Sequence, residues 1–410
     1  MTSRRGARRA AAAVVAAVVA AAVALGLLPG PVRAADDPLV AVQRLLDTRV
    51  AAVGSGDKTA FMGTVDPQAP ASFKDAQARL FDGLHSLPLA VYALEARTRD
   101  SGDLSPRGAG TFLPETRQRM RFKDYDATDA LDSLWLTYVQ RAGRWYVAAD
   151  DDLGPLGLDT ARGLWDFGPV SAQPTAHFLL LSHPAQADRA RALGALAEKA
   201  VAVLSQRWPQ PWPGRIPLVL PGSIDELAAI IQSTVDLTKF VAFVSYGSNR
   251  DEGWTPTAPR IYIQDRNLSG YSDRFQTETL VHELDHAAVA PISGPFVPAW
   301  VHEGVAEWVA SGNPVSKRSN RVSDRSDHSH LPRDYSFTTG SQGSIVHSYS
   351  ASKAAVSVLA GAKGTAAPAA FVKDLGQVRV AAGSVDYQVD AALRRSLGLG
   401  LADLESLWGG

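Results

Sequence analysis

The chain has 410 residues, 41 basic and 42 acidic side chains, a formal net charge of −1 and no cysteine. That balance argues against a nucleic-acid partner, which would need a basic face. Without cysteine there is no disulfide and no lipidated-cysteine anchor, so the core and any bound metal must hold the fold. The length suits two domains or one large one.

The chain opens with "MTSRRGARR", arginine-rich and free of acids, followed by the apolar run "AAAAVVAAVVAAAVALGLL" and by "PGPVRAADDP". A basic start, an apolar run and an A-x-A-like end read as a secretory signal over residues 1–35, cut after Ala34 or Ala35. The alternative is an uncleaved N-terminal membrane anchor, because the run approaches bilayer-spanning length. The expected location is extracytoplasmic.

Residues 36–152 read as one unit. "PLVAVQRLLDTRVAAVGSGD" and "ASFKDAQARLFDGLHSLPLAVYALE" have helical apolar spacing. "RQRMRFKDY" and "SLWLTYVQRAGRWYVAADDD" then alternate as strands do, with a hairpin turn at Ala142-Gly143. Helices followed by a curved antiparallel sheet give a cone-shaped α+β unit. In pattern it resembles the SnoaL-like (nuclear-transport-factor-2-like) fold, which implies either an enzyme or an inert packing module. Asp124, Asp126, Asp129 and Asp150 to Asp152 are expected in solvated loops, without a catalytic role. Residues 153–174 are rich in Gly and Pro and read as a linker.

Residues 175–410 form the second unit. "AHFLLLSH", "RIPLVLPGS", "FVAFVSYGS" and "RIYIQDR" predict strands; "AQADRARALGALAEKAVAVLSQRW" predicts a long helix and "IDELAAIIQ" a short one. Helical spacing dominates from residue 272 onward apart from one polar loop, so this unit is also α+β, a small mixed sheet followed by helices.

Its chemistry centres on "TETLVHELDHAAVA", where His282 and His286 lie one helical turn apart on one face and can converge on a single ion. Zn²⁺ favours such imidazole nitrogens, needs a third protein ligand and leaves a fourth position for water. Glu283 lies beside that face, placed to take a proton from the water and pass it to a leaving amine. A second helix beginning in "FVPAWVHEGVAEWVASG" carries Glu303 and, one turn later on the same face, Glu307. The first is the carboxylate that two histidines require as partner; the second can accept the other ring N–H of a ligating histidine and fix its tautomer.

"HELDH" followed by "PAWVHEGVAEW" resembles the gluzincin metallopeptidases, most of all the peptidase-MA-like group related to the aminopeptidase-N and thermolysin types. The resemblance extends over about residues 175–408 and implies a zinc peptidase acting on a peptide or protein substrate. His282, His286 and Glu303 are then the metal ligands, Glu283 the general base and Glu307 the partner of a ligating histidine. It also implies a tyrosine donor to the developing oxyanion, in a Y-x-x-S-x-x-x-x-x-x-L helix, which maps to Tyr349 in "HSYSASKAAVSVLAGAKG". Tyr335 and His347 compete for that role.

His302 turns about 100° from Glu303 around the helix and reads as a rim or packing residue. His328 and His330 read as solvated loop histidines, in a loop long enough to act as a lid. His85, His177 and His183 read as structural, and Asp285 as facing away from the metal. No G-x-M-E-N segment precedes His282, so an endopeptidase, or a peptidase of unknown exopeptidase habit, is expected rather than an aminopeptidase, with "PRIYIQ" as the edge strand for an extended peptide. Two other readings stay open: a secreted binding protein that keeps the zinc fold as scaffold, and a zinc amidase acting on a cell-wall amide.

Overall fold

The structure is a computed structural model that describes residues 37–97, 110–233, 235–248, 256–315, 330–378 and 383–409. The signal-like segment and His328 lie outside the described residues, as does most of the polar loop.

The first unit begins with helix α1 (Pro38–Ser55). The Asp37 side chain caps it by accepting from the Leu39 amide, and Gly56 closes it in the left-handed conformation. Helices α2 (Lys58–Met62) and α3 (Ala71–His85) follow. The strands are β1 (Leu89–Arg97), β2 (Thr111–Phe112), β3 (Glu115–Phe122), β4 (Ala130–Leu134), β5 (Thr137–Arg141) and β6 (Arg144–Ala149). They form two three-stranded antiparallel sheets, β1-β3-β4 and β2-β5-β6, where one curved sheet was expected. The break falls at Trp135-Leu136. Both are buried, so inside-outside alternation fails there, and the Trp135 amide donates to the Thr160 hydroxyl at 2.9 Å instead of to a strand. The β5–β6 hairpin turns on Ala142 (φ 48°) and Gly143 (φ 80°), left-handed at both central positions as the twist of a two-residue hairpin demands.

The 153–174 stretch is not a free linker. Leu153, Leu164 and Val170 are buried, the Trp165 ring meets Phe122 edge-on at 6.1 Å, and β7 (Ser171–Pro174) is a sheet strand. Apolar residues at irregular spacing carry no periodic signal, yet each fills a gap in the packed body.

The second unit contributes β8 (Phe178–Ser182), α4 (Ala187–Arg207), β9 (Ile216–Leu220), α5 (Ile224–Ile231), β10 (Ala242–Ser248) and β11 (Pro256–Ile263). With β7 the strands form a mixed sheet in the order β10-β11-β9-β8-β7, parallel at β8–β9 and β9–β11 and antiparallel at both ends. The α+β class is therefore correct. The expectation that "PRIYIQ" forms the sheet edge is corrected: β11 lies between β9 and β10, and the edge strands are β10 and β7. Helices α6 (Asp265–Leu268), α7 (Asp273–Val289), α8 (Ala299–Ala310), α9 (Gln342–Lys363), α10 (Ala367–Leu375), α11 (Val385–Leu397) and α12 (Leu401–Gly409) complete the chain.

Strands β8 and β9 are covered on both faces, which is why they read as unbroken apolar runs. Phe178, Leu180, Ile216 and Leu218 face a core shared with α4, α7, α8 and α9. Leu179, Leu181 and Val219 point the other way, into a core built with Phe81, Leu84, Met120 and Phe122 of the first unit. Across that second core Arg260 of β11 reaches Asp126, whose carboxylate accepts its Nη2–H at 2.7 Å. Asp126 is thus a buried ion-pair partner, its side chain 1% exposed, and not the solvated loop residue its sequence setting suggested. Asp150 is likewise paired, with Arg162 at 2.7 Å.

Candidate metal centre

Helix α7 starts where the Ser272 hydroxyl accepts from the Phe275 amide, and it runs unbroken through the H-E-x-x-H segment. Helix α8 starts just after Pro298, with its first amide, at Ala299, donating to Asp334 Oδ1 at 2.8 Å. Gly304 lets α8 and α9 approach closely: a Cβ there would lie 2.8 Å from the Ser352 carbonyl oxygen. The three helices thereby place Glu303 between the two histidines of α7 and Tyr349 of α9.

The donors converge. His282 Nε2 lies 3.1 Å from His286 Nε2 and 3.2 Å from Glu303 Oε2, and His286 Nε2 lies 3.3 Å from that same oxygen. Three ligands at about 2.0–2.1 Å from one tetrahedral ion sit about 3.3 Å apart, so this triangle fits one face of a tetrahedral site. Two imidazole nitrogens in mutual contact beside a carboxylate also make sense as lone pairs aimed at a common cation. His282 Nδ1 faces Glu307 Oε1 at 3.3 Å, so the N–H belongs on Nδ1 and the lone pair on Nε2. Lys353 Nζ approaches the other Glu307 oxygen at 3.9 Å. No other group of three His, Cys, Asp or Glu side chains among the described residues is placed to share an ion.

Electrostatics follow from burial and from these neighbours. Burial opposes charge on Glu303, but His286 and His282 outweigh it and hold the carboxyl well below its usual range. Burial would likewise lower His282, but contact with Glu303 and Glu307 raises it well above the ordinary imidazole value. Glu283, only 5% exposed, is pushed up by burial, against the pull of His282 and His286. A carboxylate with a raised pKa is a better proton acceptor, as a general base requires. Asp285 is wholly buried, with no hydrogen-bond donor among the described residues on either oxygen, and burial lifts its pKa to about 7.

The donors open into a cleft of about 580 Å³ between β10, the α5–β10 connection and the starts of α8 and α9. Glu283, His302 and Tyr349 line it. Tyr349 packs its ring edge against Phe337 at 5.3 Å, and its ring centre is 6.1 Å from that of His282. Its rivals lie elsewhere: Tyr335 is 69% exposed and lines a separate pocket, and His347 is not among the residues lining the cleft. His302 is a cleft-wall residue; its Nε2 contacts the Ser293 hydroxyl at 3.0 Å, and burial, helped by His286, lowers its pKa to about 4. His330 lies against Glu405 at 3.6 Å, away from the cleft. His85, His177 and His183 are taken up by Val53, Glu198 and Glu226 respectively.

One cleft residue was not singled out in sequence. Tyr246 of β10 lines the same cleft as Tyr349. The available signal was the Ala258-Pro259 step inside the partner strand, since a proline within a strand marks a bulge or an edge.

No protein-family model, curated protein or solved structure matches this chain.

Proposed function

We propose that this protein is an extracytoplasmic zinc metallopeptidase of gluzincin type, with its first unit a SnoaL-like module that packs against the peptidase unit. The observation that carries the reading is the donor triangle of His282, His286 and Glu303, with Glu283 beside it in the cleft and Glu307 behind His282, 3.3 Å from its Nδ1. A Zn²⁺ ion held by those donors supplies Lewis acidity toward a substrate carbonyl and a water molecule. Glu283 removes a proton from the attacking water and returns it to the leaving amine nitrogen. Glu307 accepts the Nδ1–H of His282 and keeps its Nε2 lone pair on the ion. Tyr349 keeps its proton, because burial and the charges of Glu303 and Glu283 raise its pKa, and so serves as a hydrogen-bond donor to the oxyanion.

The substrate lies extended along β10, the edge strand whose Ala242–Tyr246 stretch lines the cleft. No Lys or Arg lines the cleft among the described residues, so nothing there pairs with a terminal carboxylate. Asp334, the one carboxylate of the lining not in the metal group or serving as base, is engaged by the Ala299 amide. This favours cleavage of internal bonds, with the apolar side chains of Val235, Leu237, Phe240 and Phe337 receiving apolar residues of the substrate.

The test is bound zinc, together with cleavage of a mixed peptide library, for the protein and for Glu283→Gln. Stoichiometric zinc in both is expected, with cleavage lower by about 10²–10⁴-fold in the variant. Zinc in both and cleavage by neither would favour a zinc-stabilised binding scaffold. A parent protein without zinc would sink the ligand assignment.

A further inference from the structure

Strands β10 and β11 pair in regular register from Ala242↔Ile263 to Ser245↔Arg260 and resume at Gly247↔Thr257. Between those pairs β10 contributes Tyr246 alone while β11 contributes both Ala258 and Pro259. This is a β-bulge, a device that bends a strand and re-aims the side chain opposite it. Ala258 sits at φ 46°, a left-handed conformation that a residue with a Cβ adopts only where its surroundings impose it.

The surroundings do impose it. Arg260 Nη1 donates to the carbonyl oxygens of Ala258 at 3.0 Å and Pro259 at 3.1 Å. The same guanidinium donates through Nη2 to Asp126 at 2.7 Å and lies 4.9 Å from the centre of the Phe122 ring. Asp126 is itself fixed, accepting the Phe122 amide at 2.7 Å. Both charged side chains are shielded from water, 9% and 1% exposed, so the pair holds one geometry and cannot be replaced by solvent. A carboxylate of the first unit therefore grips the bulge through one arginine.

Across the bulge, Tyr246 shares a strand face with Ala242 and Val244, the face that packs toward the helices. There it lines the cleft with Glu283, Glu303 and Tyr349. No hydrogen bond from the Tyr246 or Tyr349 hydroxyl is formed to any described residue, so both phenols reach the cleft with a free donor. Burial, reinforced by the charges of Glu283, Asp285 and Glu303, keeps the Tyr246 phenol protonated.

We propose that Tyr246, on the strand side of the cleft, is a second oxyanion donor beside Tyr349 on the helix side, and that Asp126 is its positioning residue, acting through Arg260 and the Ala258-Pro259 bulge. The inference rests on the peptidase reading above and adds a catalytic role to the strand wall and a positioning role to the first unit. Two donors from different elements would share the oxyanion, so each alone gives partial stabilisation.

The experiment compares the full chain with Tyr246→Phe, Tyr349→Phe, Asp126→Asn and the Asp126→Asn/Tyr246→Phe double variant. The readouts are kcat and KM on a cleaved peptide, and the affinity, by calorimetry, for a phosphinic pseudopeptide of the same sequence, whose tetrahedral oxygens mimic the oxyanion. Zinc content and thermal melting serve as controls for folding. Tyr246→Phe is expected to lower kcat by on the order of a hundredfold with little change in KM, and to weaken the phosphinic ligand by a similar factor. Asp126→Asn is expected to lower kcat less, and its effect should largely vanish in the Tyr246→Phe background, because both act through one hydroxyl. A merely structural Asp126 would instead lower kcat by the same factor in both backgrounds, which overturns its role. A Tyr246→Phe variant equal to the parent in kcat and in phosphinic affinity, while Glu283→Gln is inactive, overturns the role of Tyr246 and leaves the peptidase reading intact. A parent that neither binds zinc nor cleaves overturns both.

Discussion

On one wall of the cleft His282, Glu283 and His286 owe their positions to a single helix, and Glu303 to the helix beside it. On the other wall Tyr246 owes its position to a strand pair, a bulge in the partner strand, and an arginine held by a carboxylate more than a hundred residues upstream. The helical wall is local: once the helix forms, a four-residue spacing brings two imidazoles together whatever the rest of the chain does. The strand wall is assembled from afar and is only as accurate as its clamp. On the proposed reading, metal binding and proton transfer fall on the wall that tolerates change elsewhere, and oxyanion binding is divided between the walls.

The sharpest probe of the helical wall separates the proposed ligand Glu303 from its neighbour one turn on. Glu303→Ala should abolish stoichiometric zinc binding, whereas Glu307→Ala should keep the site and weaken it by about 10–100-fold, as read by competition with a chromogenic chelator. Equal losses would mean that Glu307 is itself a ligand. A smaller effect is expected at Asp285, which lies on the same helix but is not part of the cleft lining. Its carboxyl titrates near 3.9 in an unfolded chain and at about 7 when folded. Below about pH 4 it is protonated in both states and contributes nothing. Between there and about pH 7 the unfolded chain gains from ionising while the folded protein cannot, so a penalty builds and is full at higher pH. Asp285→Asn should therefore raise stability by ~1–2 kcal/mol at pH 8, with the gain fading toward pH 4, in denaturant melts at both pH values. A gain equal at the two pH values would show that ionisation is not the cause. The smallest effect belongs to Tyr335→Phe, which should leave kcat/KM within about twofold, as expected for an exposed side chain outside the cleft.

The same contrast explains what could be read from the sequence. His282, Glu283, His286, Glu303 and Glu307 were legible because helical periodicity converts spacing directly into direction. The spacing leaves Tyr335 and His347 in competition with Tyr349, and only the packing of α9 against α8 and Phe337 puts Tyr349 alone of the three on the cleft. The strands were legible as strands, since their apolar runs are strong, but their order was not. Placing β10 outside β11 depends on which edges are covered, and a single run carries no such information. Asp126 read as a loop acid because its partner is 134 positions away. The 153–174 stretch read as a linker because isolated apolar residues that fill gaps leave no period.

The two-sided burial of β8 and β9 has a consequence for how the chain acquires its structure. If the second half were to fold alone, Leu179, Leu181, Val219 and Tyr262 would face water on one side of the sheet. That surface is the kind that drives self-association of partly folded intermediates. The first half, which precedes the sheet strands in the chain, supplies the matching apolar face.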